Sequence, residues 1–316
     1  MKELHGQLEP SMKKKPSFLI VGAMKCATTT LYDQLKLQAG IFMPELKEPN
    51  FFSDDEIFNL GQHWYENLFD AANPGDILGE ASTHYTKLPT YPETISRIQS
   101  YLGTPKIIYV MREPVDRLVS QYIHEWSCGK INVSIDEAIV EHPELIKYSL
   151  YHYQIKPYLE AFGRENVLPV FFEKLKKDPQ EELNRIARFI GAPHDVEWKK
   201  ELPAKNISRE RVRKFPLSKI LIHNDLMATL RRALVPKSVR IYVKKKFQMK
   251  DRPKMSEAAR KKVELVLNED MRLLGAEFGV QLDVSNYKKQ VTDNYLYWVN
   301  RENNSQEQRN VTHDGA

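Results

Sequence analysis

Phe18-Leu19-Ile20-Val21-Gly22-Ala23-Met24-Lys25-Cys26-Ala27-Thr28-Thr29-Thr30-Leu31 is the stretch whose reading decides the fold. Its apolar run predicts a buried strand, and the spacing after Thr28 predicts an amphipathic helix. The loop between them holds a single lysine and runs into three threonines. A strand that enters a helix N-terminus through such a loop builds an anion site, because free backbone N–H groups and the helix dipole converge there. Lys25 adds a full positive charge, and the hydroxyls of Thr28, Thr29 and Thr30 add donors. The chemistry is that of phosphate or a close analogue.

A nucleoside-triphosphate loop of the form G-x-x-x-x-G-K-[ST] sets its lysine directly before the magnesium-binding hydroxyl. Counting from Gly22, Ala27 and Thr28 stand where that glycine and lysine belong, and the lysine comes three residues early. Taken alone, the loop also fits an ordinary strand–loop–helix with a surface lysine. The second charged strand end, Lys106-Ile107-Ile108-Tyr109-Val110-Met111-Arg112-Glu113-Pro114, moves the balance. Here an apolar run again stops in charge, and Pro114 suits the first turn of a following helix. Arg112 stands at the carboxyl end of its strand, where open α/β sheets bind ligands. Ser120 follows two helical turns later, within reach of the same cleft. A nucleoside triphosphatase needs an acid at this strand end to hold magnesium. A guanidinium instead grips phosphate directly. The expected ligand therefore carries two separated anionic groups and needs no metal.

These residues carry a resemblance. Lys25-Cys26-Ala27-Thr28-Thr29-Thr30-Leu31 resembles the 5′-phosphosulfate loop, K-x-G-T-T-x-L, of sulfotransferases that use 3′-phosphoadenylyl sulfate (PAPS). Arg112 through Ser120 resembles their 3′-phosphate motif, R-x-P-x-x-R-x-x-S-x-Y. Lys47-Glu48-Pro49-Asn50-Phe51-Phe52 is similar to the K-E-P-x-F-F segment of the heparan-sulfate-type and related bacterial branch, and Gly79 to Tyr85 resembles the next block. The resemblance covers roughly residues 16 to 190. It implies that Lys25, Cys26, Ala27, Thr28, Thr29, Thr30, Arg112, Ser120 and Tyr151 bind the nucleotide, with PAPS as cofactor and adenosine 3′,5′-bisphosphate as its product. The acceptor it implies is a saccharide or small molecule, not nucleic acid. Two departures stand out. Ala27 replaces the loop glycine, which is costly unless φ is negative there. Ala81 replaces the lysine that follows Gly-Glu in the animal heparan sulfotransferases, which puts an animal-like glycosaminoglycan acceptor in doubt.

By the same resemblance Glu48 is the expected general base and Lys25 the expected catalytic stabiliser of the leaving phosphate oxygen. Pro49, Phe51 and Phe52 flank Glu48, and an apolar setting is expected to raise its pKa toward usefulness. His84, with His63 and His124 behind it, is the alternative base. Trp64, Tyr65, Tyr85 and Trp126 are candidates either for stacking on a sugar ring or for the core. Two other functions stay open at this point: a metal-dependent nucleotide kinase on the same scaffold, and a non-catalytic polyanion-binding protein.

The 316 residues suffice for one α/β domain with a full core. No apolar run approaches the length of a membrane span, and residues 1–15 read as a polar, flexible tail without a signal-peptide core. Cys26 and Cys128 are the only cysteines, so a reducing, cytoplasmic setting is expected. Cys26 reads as a reactive thiol or, more simply, as loop filler. The net charge of +5 hides an asymmetry: residues 205–254 carry 16 Lys and Arg against 3 Asp and Glu, and the remainder 31 against 39. A concentrated basic segment suggests an anionic partner, a peripheral contact with an anionic surface, or a solvated face; the resemblance implies that it is a lid or insertion closing over the nucleotide, with Arg211 and Arg213 as its contacts.

Strands at 17–22, 77–79, 106–111 and 167–172 alternate with helices at 28–38, 91–101, 114–127, 150–162 and 178–190. That alternation predicts an α/β fold, a three-layer parallel sheet, for which the resemblance implies P-loop-like sulfotransferase topology. The sulfotransferase domain is expected to span 16–285. Its last helix begins at Ser256, with Val263, Val266, Leu267, Met271 and Leu274 on one face. Residues 286–316 are expected to be a loosely held polar tail, with Tyr295, Tyr297 and Trp298 able to dock.

Overall fold

A computed structural model describes residues 14–200, 249 and 251–299. Five parallel strands, β1 (Phe18–Gly22), β2 (Ile41–Phe42), β3 (Ile77–Ala81), β4 (Lys106–Met111) and β5 (Val167–Phe171), form one sheet in the order β2-β3-β1-β4-β5. β1, β4 and β5 are apolar and nearly wholly buried, as strands covered on both faces must be. From β1 the chain crosses to β2 at one edge, returns to β3 beside β1, and then passes to β4 and β5 on the other side. With right-handed crossovers this winding lays helices on both faces, the three-layer α/β architecture expected.

The helices are α1 (Thr28–Lys36), α2 (Asp55–Phe58), α3 (Gly61–Asn67), α4 (Thr94–Leu102), α5 (Pro114–Ser127) and α6 (Ile135–Glu141). After them come α7 (Glu144–Lys147), α8 (Tyr151–Phe162), α9 (Phe172–Lys177), α10 (Pro179–Ile190), α11 (Glu257–Phe278) and α12 (Tyr287–Asp293). Local chemistry sets their ends. The Glu113 carboxylate accepts the Val115 and Asp116 N–H groups, with Pro114 in the first turn of α5. Ser134 and Glu137 form a capping box on α6. Ser256 caps α11 as expected, and Gly279 ends it in the left-handed conformation.

Two expectations about the C-terminal part need correction. Val266 is 43% exposed, because the apolar face of α11 is the narrower stripe of Val263, Leu267, Met271 and Leu274. The segment after residue 286 is not loose over its described part. Tyr287, Val291 and Leu296 are buried, the Trp298 ring stacks on Phe278 at 4.5 Å, and its Nε1 donates to the Val167 carbonyl at 2.6 Å. A few well-placed apolar side chains outweigh the polar average there.

The basic 205–254 segment, apart from 249 and 251–254, lies outside the described residues, and so do Arg211 and Arg213. The described chain on either side is held by two site-bearing helices. Lys199 exchanges hydrogen bonds with Gln34 of α1, and Arg252 pairs with Asp116 of α5 at 2.6 Å. Among the described residues no helix is long and apolar enough to cross a membrane.

Gly79 pairs with Phe18 across β3 and β1, and a Cβ there would lie 2.0 Å from the Phe18 ring. Gly79→Ala is expected to lower stability by about 1–3 kcal/mol through overpacking at the sheet centre. Urea denaturation would show this as a lower midpoint with an unchanged slope.

Candidate active site

The carboxyl ends of β1, β3 and β4 lie side by side, and each delivers one part of the site. The β1 loop reaches across to β4, where the Ala23 N–H donates to the Val110 carbonyl at 2.7 Å. Gly22 permits that approach, since a Cβ would come within 1.9 Å of Thr86 Oγ1. Lys25 (φ 73°) and Ala27 (φ 68°) both take the left-handed conformation. The Ala27 substitution therefore does carry its cost, which is of order 1–2 kcal/mol for a residue with a Cβ. Strain of this kind gathers where a loop must present itself to a ligand. Helix α1 has no side-chain cap, so the first-turn N–H groups of Thr28, Thr29 and Thr30 have no intrahelical acceptor.

Arg112 leaves β4 beside that loop, and its Nη1 donates to the Lys25 carbonyl at 3.4 Å. The two anion motifs therefore share one cleft. The guanidinium lies over the Phe172 ring at 4.8 Å, and its Nε is buried without a hydrogen-bond partner. Ser120 is buried two turns along α5. Deeper still, Arg117 is fully buried, donating to Ser149, Gln121 and the Leu145 carbonyl.

The Tyr151 and Cys26 side chains are both fully buried. The Tyr151 hydroxyl donates to the Arg112 carbonyl at 2.7 Å, accepts the Arg112 N–H at 3.2 Å, and lies 3.7 Å from Cys26 Sγ. It ties the two loops together. Burial pushes the Cys26 thiol up to about 11, which makes it loop filler and not a reactive thiolate.

Glu48 comes from the loop after β2, and its N–H donates to the Ala81 carbonyl at the end of β3. Its Oε1 pairs with Lys47 Nζ at 2.6 Å, and Thr83 Oγ1 donates to Oε2 at 3.4 Å. The expectation of a raised pKa is wrong. Burial does push the carboxyl up, but the charge and hydrogen bond of Lys47, with Lys87 and His84, hold it below its usual range. The Phe51 and Phe52 rings that suggested an apolar setting turn away into the core, Phe51 stacked on Tyr65 and Phe52 tilted against Tyr85 and Tyr101. Tyr65 and Tyr85 are therefore core residues and not sugar platforms.

His84 stands in electrostatic contact with Glu48 and stacks on Tyr91 at 4.9 Å. Burial, assisted by Lys87, lowers it to about 4, so it is neutral at pH 7 and a weak base. His63 is exposed on α3. Lys87 is a residue the motif reading missed. Burial lowers its ammonium to about 8, against the raising influence of Glu48 and Glu125. No sequence signal marks it, because its place depends on a 3₁₀ turn over Thr83–Thr86.

The sulfotransferase domain family matches residues 15–275. The chain belongs to the sulfotransferase family. Among curated relatives, heparan sulfate glucosamine 3-O-sulfotransferase 3A1 of Mus musculus is 28% identical over 193 residues, which is 58% of this chain and 48% of that protein. Bifunctional heparan sulfate N-deacetylase/N-sulfotransferase 4 of Mus musculus is 27% identical over 201 residues, 57% of this chain and 23% of that protein. The chain spans about half the length, or less, of the curated relatives it matches. A solved sulfotransferase from Alicyclobacillus acidocaldarius is 29% identical with a TM-score of 0.52, covering 69% of this chain and 100% of that one.

The lowered His84 pKa has a stability consequence. Folding favours its neutral form, so stability is lost as pH falls from 6.5 through about 4. Glu48 adds a separate loss below 4.5. Urea midpoints measured across this range should fall less steeply between 6.5 and 4 in His84→Phe than in the wild type.

Proposed function

We propose that this chain transfers a sulfuryl group from PAPS to a hydroxyl or amine of a saccharide or small-molecule acceptor. The observation that carries the reading is Arg112. Its guanidinium rests on the Lys25 loop and keeps a buried, unpartnered Nε. One cleft thus presents a guanidinium beside a lysine-bearing helix N-terminus, a fit for one ligand with two anionic ends. Arg112 and Ser120 would hold the 3′-phosphate, and Lys25 with the Thr28–Thr30 N–H groups the 5′ end.

When bound, PAPS supplies the sulfuryl group, whose S–O bond to the 5′-phosphate breaks as a bond to the acceptor atom forms. Lys25 offsets the charge left on that phosphate oxygen, the kind of preorganised electrostatics that dominates such transfers. Glu48 takes the acceptor's proton. Lys47 occupies Oε1, so Oε2 is the accepting atom. A carboxylate held below its usual range accepts that proton late, once the acceptor has become acidic through bond formation. Neutral His84 and the Lys87 ammonium then line the acceptor side.

The named relatives favour a saccharide acceptor, while Ala81 in place of their lysine argues against a copy of their subsite. A kinase would need an acid where Arg112 stands. A non-catalytic polyanion binder would have no use for a carboxylate beside the cleft. Two cysteines, unpaired in the structure, favour a reducing, cytoplasmic setting. The packing of Tyr287, Val291, Leu296 and Trp298 favours a domain that runs past residue 285 to at least 298.

Adenosine 3′,5′-bisphosphate is expected to raise the melting temperature strongly, while ATP with magnesium leaves it unchanged; the reverse pattern would favour the kinase. Glu48→Gln should lower kcat by about 10²- to 10⁴-fold with bisphosphate affinity preserved. Arg112→Ala should weaken bisphosphate binding by about tenfold or more, measured by calorimetry.

A further inference from the structure

We propose that Glu80 is a positioning residue for the Glu48 loop: from the end of β3 its carboxylate turns two hydroxyls so that their lone pairs hold the amides that flank the base. The inference rests on the reading of Glu48 as general base. Glu80 is fully buried and accepts three O–H donors. Tyr65 and Tyr85 donate to Oε2 at 2.7 and 3.0 Å, and Ser82 donates to Oε1 at 2.5 Å. A hydroxyl owns one proton. Once Ser82 and Tyr85 have given theirs to Glu80, only acceptor capacity is left. Both use it on the loop: Ser82 Oγ accepts the Asn50 N–H at 3.0 Å, and Tyr85 Oη accepts the Phe52 N–H at 3.4 Å. Together with the Glu48 N–H on the Ala81 carbonyl, alternate amides at 48, 50 and 52 are fastened to the segment 81–85.

That loop needs fastening. Glu48 (φ 59°) and Asn50 (φ 55°) both take the left-handed conformation without being glycine. Such backbone persists only where its surroundings over-determine it. Freed from the strap, these residues would relax toward ordinary backbone, and the Glu48 side chain would move with them.

The strap depends on charge. An ionised Glu80 only accepts, but a protonated one has a proton of its own to donate. One of its three hydroxyl partners must then turn to accept it, and the polarity of the relay is broken. Burial pushes Glu80 up to about 7, against the lowering influence of the Ser82, Tyr65 and Tyr85 hydrogen bonds and of Lys47. The titratable and charged groups that face it are Tyr65 of α3, Tyr85 of the 3₁₀ turn, Tyr158 of α8 and Lys47 of the loop, with Tyr101 of α4 behind Tyr65. Burial pushes all four tyrosines up, so they stay protonated through neutral pH. Activity should therefore fall as pH drops through about 7, a window well above that in which Glu48 itself titrates.

The test combines amide hydrogen exchange, bisphosphate affinity and the pH profile of kcat in wild type and Glu80→Gln. Exchange at Asn50 and Phe52 should quicken by about tenfold or more in the variant, with β1 amides unchanged. Affinity for adenosine 3′,5′-bisphosphate should hold, and the acid limb of kcat near 7 should be present in wild type and absent from the variant. Unchanged exchange at 50 and 52 in folded Glu80→Gln, or a limb near 7 that survives the substitution, overturns the proposal. If Glu80→Gln does not fold, Ser82→Ala decides: quicker exchange at Asn50 with lower kcat supports the strap, and wild-type protection there sinks it. A loosened loop in a protein that shows no turnover with PAPS at any pH would uphold the strap and refute the sulfuryl-transfer reading instead.

Discussion

The parallel pairing of β1 with β4 is the constraint on which the site depends. Phe18 aligns with Lys106, Leu19 with Ile107 and Ile20 with Ile108, and the register shifts only at Gly22. That alignment brings both strands to an end together, so that Ala23 meets Val110 and Arg112 meets the Lys25 carbonyl. A one-residue slip would turn every buried side chain of β1 to the opposite face, so the apolar core locks the register. The same apolar contacts that stabilise the sheet therefore set the spacing of two cationic loops.

The acceptor side obeys a different rule. Here the charges are mixed, Glu48 and Glu125 against Lys47, Lys87 and Lys130, and the groups are only partly withdrawn from water. Lys47 and Lys87 hold Glu48 as an anion, while burial, assisted by Lys87, keeps His84 neutral. The donor side is preorganised by backbone strain and buried hydroxyls. The Glu48 side is shaped by charge balance, with Glu80 accepting the Ser82 and Tyr85 hydroxyls that in turn accept the Asn50 and Phe52 N–H groups. Sulfuryl transfer needs both, because its barrier yields mainly to alignment and electrostatics.

Local chemistry decided much of this in the linear chain. The strand-to-helix transitions at Gly22 and Arg112, the proline in the first turn of α5, the Ser256 cap and the displaced lysine all act over a few neighbouring residues, and each took the form its spacing implied. What depended on averages failed. The polar composition after residue 286 concealed Tyr287, Val291 and Trp298, whose partners Phe171, Phe278 and Val167 lie far away in sequence. The rings beside Glu48 misled in the same manner, since being next to an aromatic residue does not say which way its ring faces.

By itself, then, the sequence determined the parallel α/β fold and its two cationic strand ends and pointed to Glu48 as a candidate base, because short-range periodicity and residue chemistry suffice for each. Only the tertiary structure decided the ionisation of Glu48, the burial of the Tyr151 and Cys26 side chains, and the surroundings of Lys87 and Glu80. Ionisation reflects the summed field and desolvation from groups on several elements. A hydroxyl's role depends on which acceptor it meets once the chain has closed, and no window along the sequence contains both partners.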